Sequence, residues 1–101
     1  VPGARITWTM PLHQSPSDVA TDAPIVRALA DAAAAATATT PPIEGLGCWT
    51  DAALLNAAGI PAICYGPGDI ALAHAATEYV PLEEVETATA VLTRLARDWC
   101  A

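Results

Sequence analysis

Apolar and polar positions change period along the chain, and each change marks an expected element. Arg5 to Met10 alternates, with Ile6, Trp8 and Met10 on one side and Arg5, Thr7 and Thr9 on the other. A period of two with aromatic and β-branched content predicts a half-buried strand. Pro11 and Pro16 then bracket an irregular polar link containing His13. From Pro24 the period lengthens. Ile25, Val26, Leu29, Ala32, Ala33 and Ala36 recur at helical spacing, Asp22 suits an N-cap, and Pro24 is tolerated in a first turn. Thr39-Thr40-Pro41-Pro42 stops that helix after about Thr37.

Ile43 to Trp49 carries two glycines and is compatible with a short strand entering a tight loop. Thr50-Asp51 opens, and Gly59 closes, a two-turn helix over Ala52 to Ala58. Ile60 to Tyr65 is a continuous apolar run between glycines, the pattern of a strand buried on both faces. Gly66-Pro67-Gly68-Asp69 ends it, and a loop follows to about Tyr79. Pro81 opens the last helix, whose stripe is Val85, Ala88, Leu92, Leu95, Ala96 and Trp99. Glu83, Glu84 and Glu86 suit its positive N-terminal end, Arg94 and Arg97 its negative one. Helix followed by buried strand is the order of an open α/β sheet, so the expected fold class is α/β.

Size and charge narrow the function classes. A chain of 101 residues makes one small domain or one segment of a larger one. Its 53% apolar and 15% charged residues exclude a disordered chain. A net charge of −7, with four arginines and no lysine, repels phosphate backbones, so no nucleic-acid partner is expected. The longest weakly polar stretch, Ala32 to Ala38, is too short and small-sided to span a bilayer, so no membrane partner is expected. Cys48, Cys64 and Cys100 have neither the parity of a disulfide framework nor the spacing of a thiolate metal site. Cys64 and Cys100 are expected to be packing residues. That reading of the cysteines favours a reducing cytoplasm, and no charged-then-apolar leader opens the given sequence.

Candidate chemistry lies in the loop after Ile60 to Tyr65, because ligands of open α/β sheets bind beyond the carboxyl ends of strands. Its Gly66-Pro67-Gly68 turn lets backbone N–H groups approach a substrate closely. His74 stands alone among small residues, and spacing by itself reads it as a surface or packed histidine.

Four ordered motifs change that reading: Gly47-Cys48-Trp49-Thr50-Asp51, Ala58-Gly59-Ile60-Pro61, Tyr65-Gly66-Pro67-Gly68 and His74-Ala75-Ala76-Thr77-Glu78-Tyr79. Together they resemble the C-terminal signature of the co-catalytic zinc exopeptidases and deacylases, which include acetylornithine deacetylase, succinyl-diaminopimelate desuccinylase, aminoacylase and carboxypeptidase G. The resemblance is strong over residues 44–100 and weaker over 1–43.

It implies a segment of a three-layer α/β/α catalytic domain over residues 14–101. Residues 1–13 would be the last strand of a dimerising lid domain and its linker. It also implies hydrolysis of the amide bond of a small N-acyl amino acid or peptide, with two zinc ions per complete active site. Cobalt or manganese can share such ligands. His74 matches the family's final metal ligand, and Gly66, Pro67 and Gly68 match the loop lining the substrate pocket. Glu78 is a candidate acceptor for the other imidazole nitrogen or a solvated carboxylate. Thr50 and Asp51 match positions whose simplest role is capping the short helix and holding the loop below the metal, with direct substrate contact as the alternative. The remaining ligands and the general base lie upstream in the family and have no counterpart here. Glu83-Glu84 is read as a helix-end pair, and His13 as structural or exposed. The chain alone is therefore expected to be inactive. The alternative is a non-catalytic remnant or interaction module.

Overall fold

The computed structural model describes residues 2–101, and Val1, where the expected lid unit begins, lies outside the described residues. Among the described residues, three α-helices and one 3-10 turn make up the regular structure: α1 (Pro24–Thr37), α2 (Ala52–Ala57), the turn Ile70–Leu72, and α3 (Leu82–Trp99).

In α1 the proline sits in the first turn, where its missing N–H has no intrahelical partner to lose. The N-cap is Ala23, without a side-chain cap. Asp22, expected to cap, instead lies 4.0 Å from the exposed Arg27 guanidinium. The helix ends on Ala38, whose left-handed backbone at φ 58° returns its N–H to Ala34.

The core lies where α1 meets α3. Leu29, Ala32 and Ala33 pack against Val91, with Ile63, Tyr65 and Leu95 at the border. The alanines bring the two helices close, and Val91, at 0% exposure, is the largest side chain fully enclosed. The inward register of α3 is Ala88, Val91 and Leu95. The expected stripe is rotated by part of a turn, since Val85, Leu92 and Trp99 remain exposed.

The α/β expectation, including a three-layer sheet and a lid strand, is overturned. The described residues contain helices and no strand. A strand exists only through a ladder of hydrogen bonds to a neighbour, and no segment supplies one. Along Arg5 to Met10 the alternation meets no packed surface, with Ile6 86% and Trp8 75% exposed. Ile60 to Tyr65, expected to be buried on both faces, is half-buried at Ala62, Ile63 and Tyr65 and exposed at Ile60 and Cys64. Cys64 and Cys100, expected inside, are exposed thiols.

Shape confirms how little is enclosed. The accessible surface is 8079 Å², against about 5,400 Å² for a compact monomer of this mass. The radius of gyration is 18.2 Å, against about 13 Å for a compact chain of this length. Much of the apolar surface therefore faces outward.

Candidate active site

The chain enters the site region from α2. Its end is closed by two nested bonds, Gly59 N–H to the Asn56 carbonyl at 3.0 Å and Ile60 N–H to the Leu55 carbonyl at 2.9 Å. Gly59 has φ 78°, a left-handed conformation that costs glycine little. Asn56 then grips the following segment with both ends of its amide. Nδ2 donates to the Ala62 carbonyl at 2.9 Å, and Oδ1 accepts from the Ala62 N–H at 2.8 Å. One side chain thus satisfies both backbone groups of a residue that has no strand neighbour.

Thr50 and Asp51 start α2 through their main chains. Their carbonyls accept from Ala53 and Leu54 at 3.0 Å each. Neither the Asp51 carboxylate nor any other side chain caps the helix. Thr50 Oγ1 instead lies 3.2 Å from Cys64 Sγ, tying the helix entry to the segment that leads into the loop.

That loop begins with Gly66-Pro67-Gly68. Gly68 has φ 94°, and a Cβ there would sit 2.6 Å from Val80 Cγ2. Its N–H donates to Glu84 Oε2 at 2.8 Å. Gly66, Pro67, Glu83 and Glu84 line a shallow recess of about 390 Å³. Asp69 next caps the 3-10 turn, its carboxylate accepting from Ala71 N–H at 2.8 Å.

His74 follows, exposed and with φ 66°. A non-glycine residue in that region is uncommon. Its backbone N–H donates to Glu78 Oε2 at 3.2 Å, and Glu78 N–H returns to the Ala75 carbonyl at 3.1 Å. Glu78 therefore meets the main chain of His74, not its imidazole.

The expected site residues thus fall into three separate contacts, Thr50 with Cys64, Gly68 with Glu84 and His74 with Glu78, of which the last alone joins two of them. A larger cavity of about 680 Å³ lies between α1 and the segments around Trp49 and Cys64. It includes Thr50 but neither His74 nor the glycine turn. Among the described residues no three His, Cys, Asp or Glu side chains are grouped to hold a metal. His74 is a chemically apt donor for zinc, but one imidazole is not a ligand set. His13 is exposed on the polar link.

Sequence reasoning missed Asn56 and Glu84. The signal for Asn56 was an amide in an otherwise apolar two-turn helix. For Glu84 it was register, because residue 84 precedes 88, 91 and 95 at helical spacing and shares their face.

A model of peptidase family M20/M25/M40 matches residues 3–98. An acetylornithine deacetylase of Myxococcus xanthus is 38% identical over 79 residues, covering 78% of this chain and 19% of that enzyme. An N-acetyl-L-citrulline deacetylase of Xanthomonas campestris pv. campestris is 53% identical over 38 residues, 38% of this chain and 10% of that enzyme. A succinyl-diaminopimelate desuccinylase of Corynebacterium glutamicum is 41% identical over 44 residues, 44% of this chain and 12% of that enzyme. The chain spans about a fifth or less of the length of these curated relatives. No solved structure matches it. With the family match running from residue 3 to residue 98, a span that includes every motif of the loop region, the chain belongs to peptidase family M20/M25/M40.

Proposed function

We propose that this chain is part of a metal-dependent hydrolase that cleaves the amide bond of a small N-acyl amino acid. The deacetylase and desuccinylase names of its relatives support that reaction class. Residues 14–101 belong to the catalytic unit, and residues 1–13 to the end of a lid unit through which the protein pairs with a second copy. The exposure of Pro2 to His13 accords with a segment that packs on something else. The protein works in the cytoplasm. No helix among the described residues is long and apolar enough to cross a membrane.

The observation that carries the reading is the His74 loop. An exposed imidazole stands on a left-handed backbone whose main chain is held by Glu78. Such a conformation costs on the order of 1–3 kcal/mol and persists where its surroundings enforce it. His74 donates to a metal through its imidazole, zinc being the expected ion and cobalt or manganese able to share the donors. Further ligands come from outside these residues. A metal held there would supply Lewis-acid activation of a scissile carbonyl and of water. Gly66 to Gly68 form part of the pocket wall. Thr50 and Asp51 start the helix that carries Asn56, and Asn56 aims the chain into that wall.

The test is hydrolysis by the natural gene product of N-acetyl-L-ornithine, N-acetyl-L-citrulline and N-succinyl-L,L-diaminopimelate. We expect turnover of at least one, lost on chelation and restored by added zinc, cobalt or manganese. Failure on all three, or indifference to chelation, contradicts the proposal.

A further inference from the structure

We infer that Glu84 is a positioning residue for the glycine turn: its carboxylate holds Gly68 in the shape the substrate pocket uses. This rests on the reading of Gly66 to Gly68 as pocket wall. An acidic residue in the first turn of a helix is ordinarily explained by the helix dipole, and Glu83 beside it needs nothing more. Glu84 differs in register and in contact. It stands four residues before Ala88 and seven before Val91, the buried residues of α3, so it lies on the face turned toward the rest of the chain.

Its Oε2 accepts the Gly68 N–H at 2.8 Å across sixteen residues of sequence. A hydrogen bond to an ionised acceptor is shorter and stronger than a neutral one. The turn it holds is confined from the other side as well. Gly68 has φ 94°, and Val80 Cγ2 occupies the space a Cβ would need. The N–H of Gly68 is thus committed to Glu84, while Gly66 and Pro67 stay exposed beside the recess of about 390 Å³ that Glu84 also lines. Glu84 fixes which face of the turn is presented and touches no reacting atom.

The contact and the helix dipole make opposite demands on a glutamine. Glu84→Gln loses the charge but keeps an oxygen able to accept from Gly68, whereas Glu84→Ala loses both. The experiment compares the two variants with the parent in the natural gene product. Hydrogen exchange is read over the peptide spanning residues 66–70, and KM and kcat with whichever of the three N-acyl substrates above the parent hydrolyses. We expect Glu84→Ala to exchange at least tenfold faster at Gly68 and to raise KM about tenfold, with kcat within about twofold. Glu84→Gln should stay within about threefold of the parent in both readouts. Equal behaviour of the two variants, or unchanged exchange in Glu84→Ala, overturns the inference. If the parent hydrolyses none of the probes, the proposed reaction falls, and the exchange comparison alone decides whether Glu84 holds the turn.

Discussion

Gly68 is the residue where the local geometry is most demanding. Its φ of 94° excludes most side chains, and Val80 closes the space a methyl group would take. Gly68→Ala is therefore expected to cost roughly 1–3 kcal/mol of local stability from backbone strain, with a steric term added. Shortening Val80 relieves only the steric part. The double variant Gly68→Ala, Val80→Ala should be more stable than the sum of the two single changes implies, a coupling that a double-mutant cycle of unfolding midpoints measures. Simple additivity would mean that the turn relaxes away from Val80. At this scale the sequence was partly legible. The Gly66-Pro67-Gly68 run announced a tight turn, and Gly59 a helix end. Glu84 was not legible as a partner of Gly68, because charge at a helix start has a sufficient local explanation and the contact spans sixteen residues.

Helices and would-be strands fared differently, for a physical reason. The spacing of apolar residues and the stops at Thr39 to Pro42 and Gly59 located α1 and α2, because helix hydrogen bonds are local and the sequence that makes them is contiguous. Arg5 to Met10 and Ile60 to Tyr65 have strand-like patterns, but pattern alone makes no ladder. In the second of these Asn56 takes the place of a neighbouring strand at one residue, Ala62. Asn56→Ala leaves the half-buried backbone of Ala62 without either partner, which is expected to cost about 1–3 kcal/mol. Lower resistance to thermal unfolding and faster exchange around residues 60–64 would register it. An unchanged midpoint and unchanged exchange would show that water replaces the amide at no cost.

For the whole molecule, an accessible surface of 8079 Å² and a core whose largest fully enclosed residue is Val91 describe a fold that encloses little of its apolar content. Ile6, Trp8, Leu54, Ile60 and Trp99 are each more than half exposed. That agrees with a chain that spans about a fifth or less of its relatives. Family membership was legible from four short motifs because they occur in order and at fixed spacing. For a metal the sequence offered a single candidate donor, His74, and among the described residues no three His, Cys, Asp or Glu side chains are grouped to hold an ion. The proposed role of His74 as a metal ligand is open to direct metal analysis. The natural gene product and its His74→Ala variant would be purified side by side, with metal content per chain measured after dialysis and folding checked by circular dichroism. We expect about two metal ions per parent chain and the loss of about one in the folded variant, with hydrolysis reduced at least a thousandfold, about 4 kcal/mol of barrier. A folded His74→Ala protein that keeps its full metal content and its activity would contradict it.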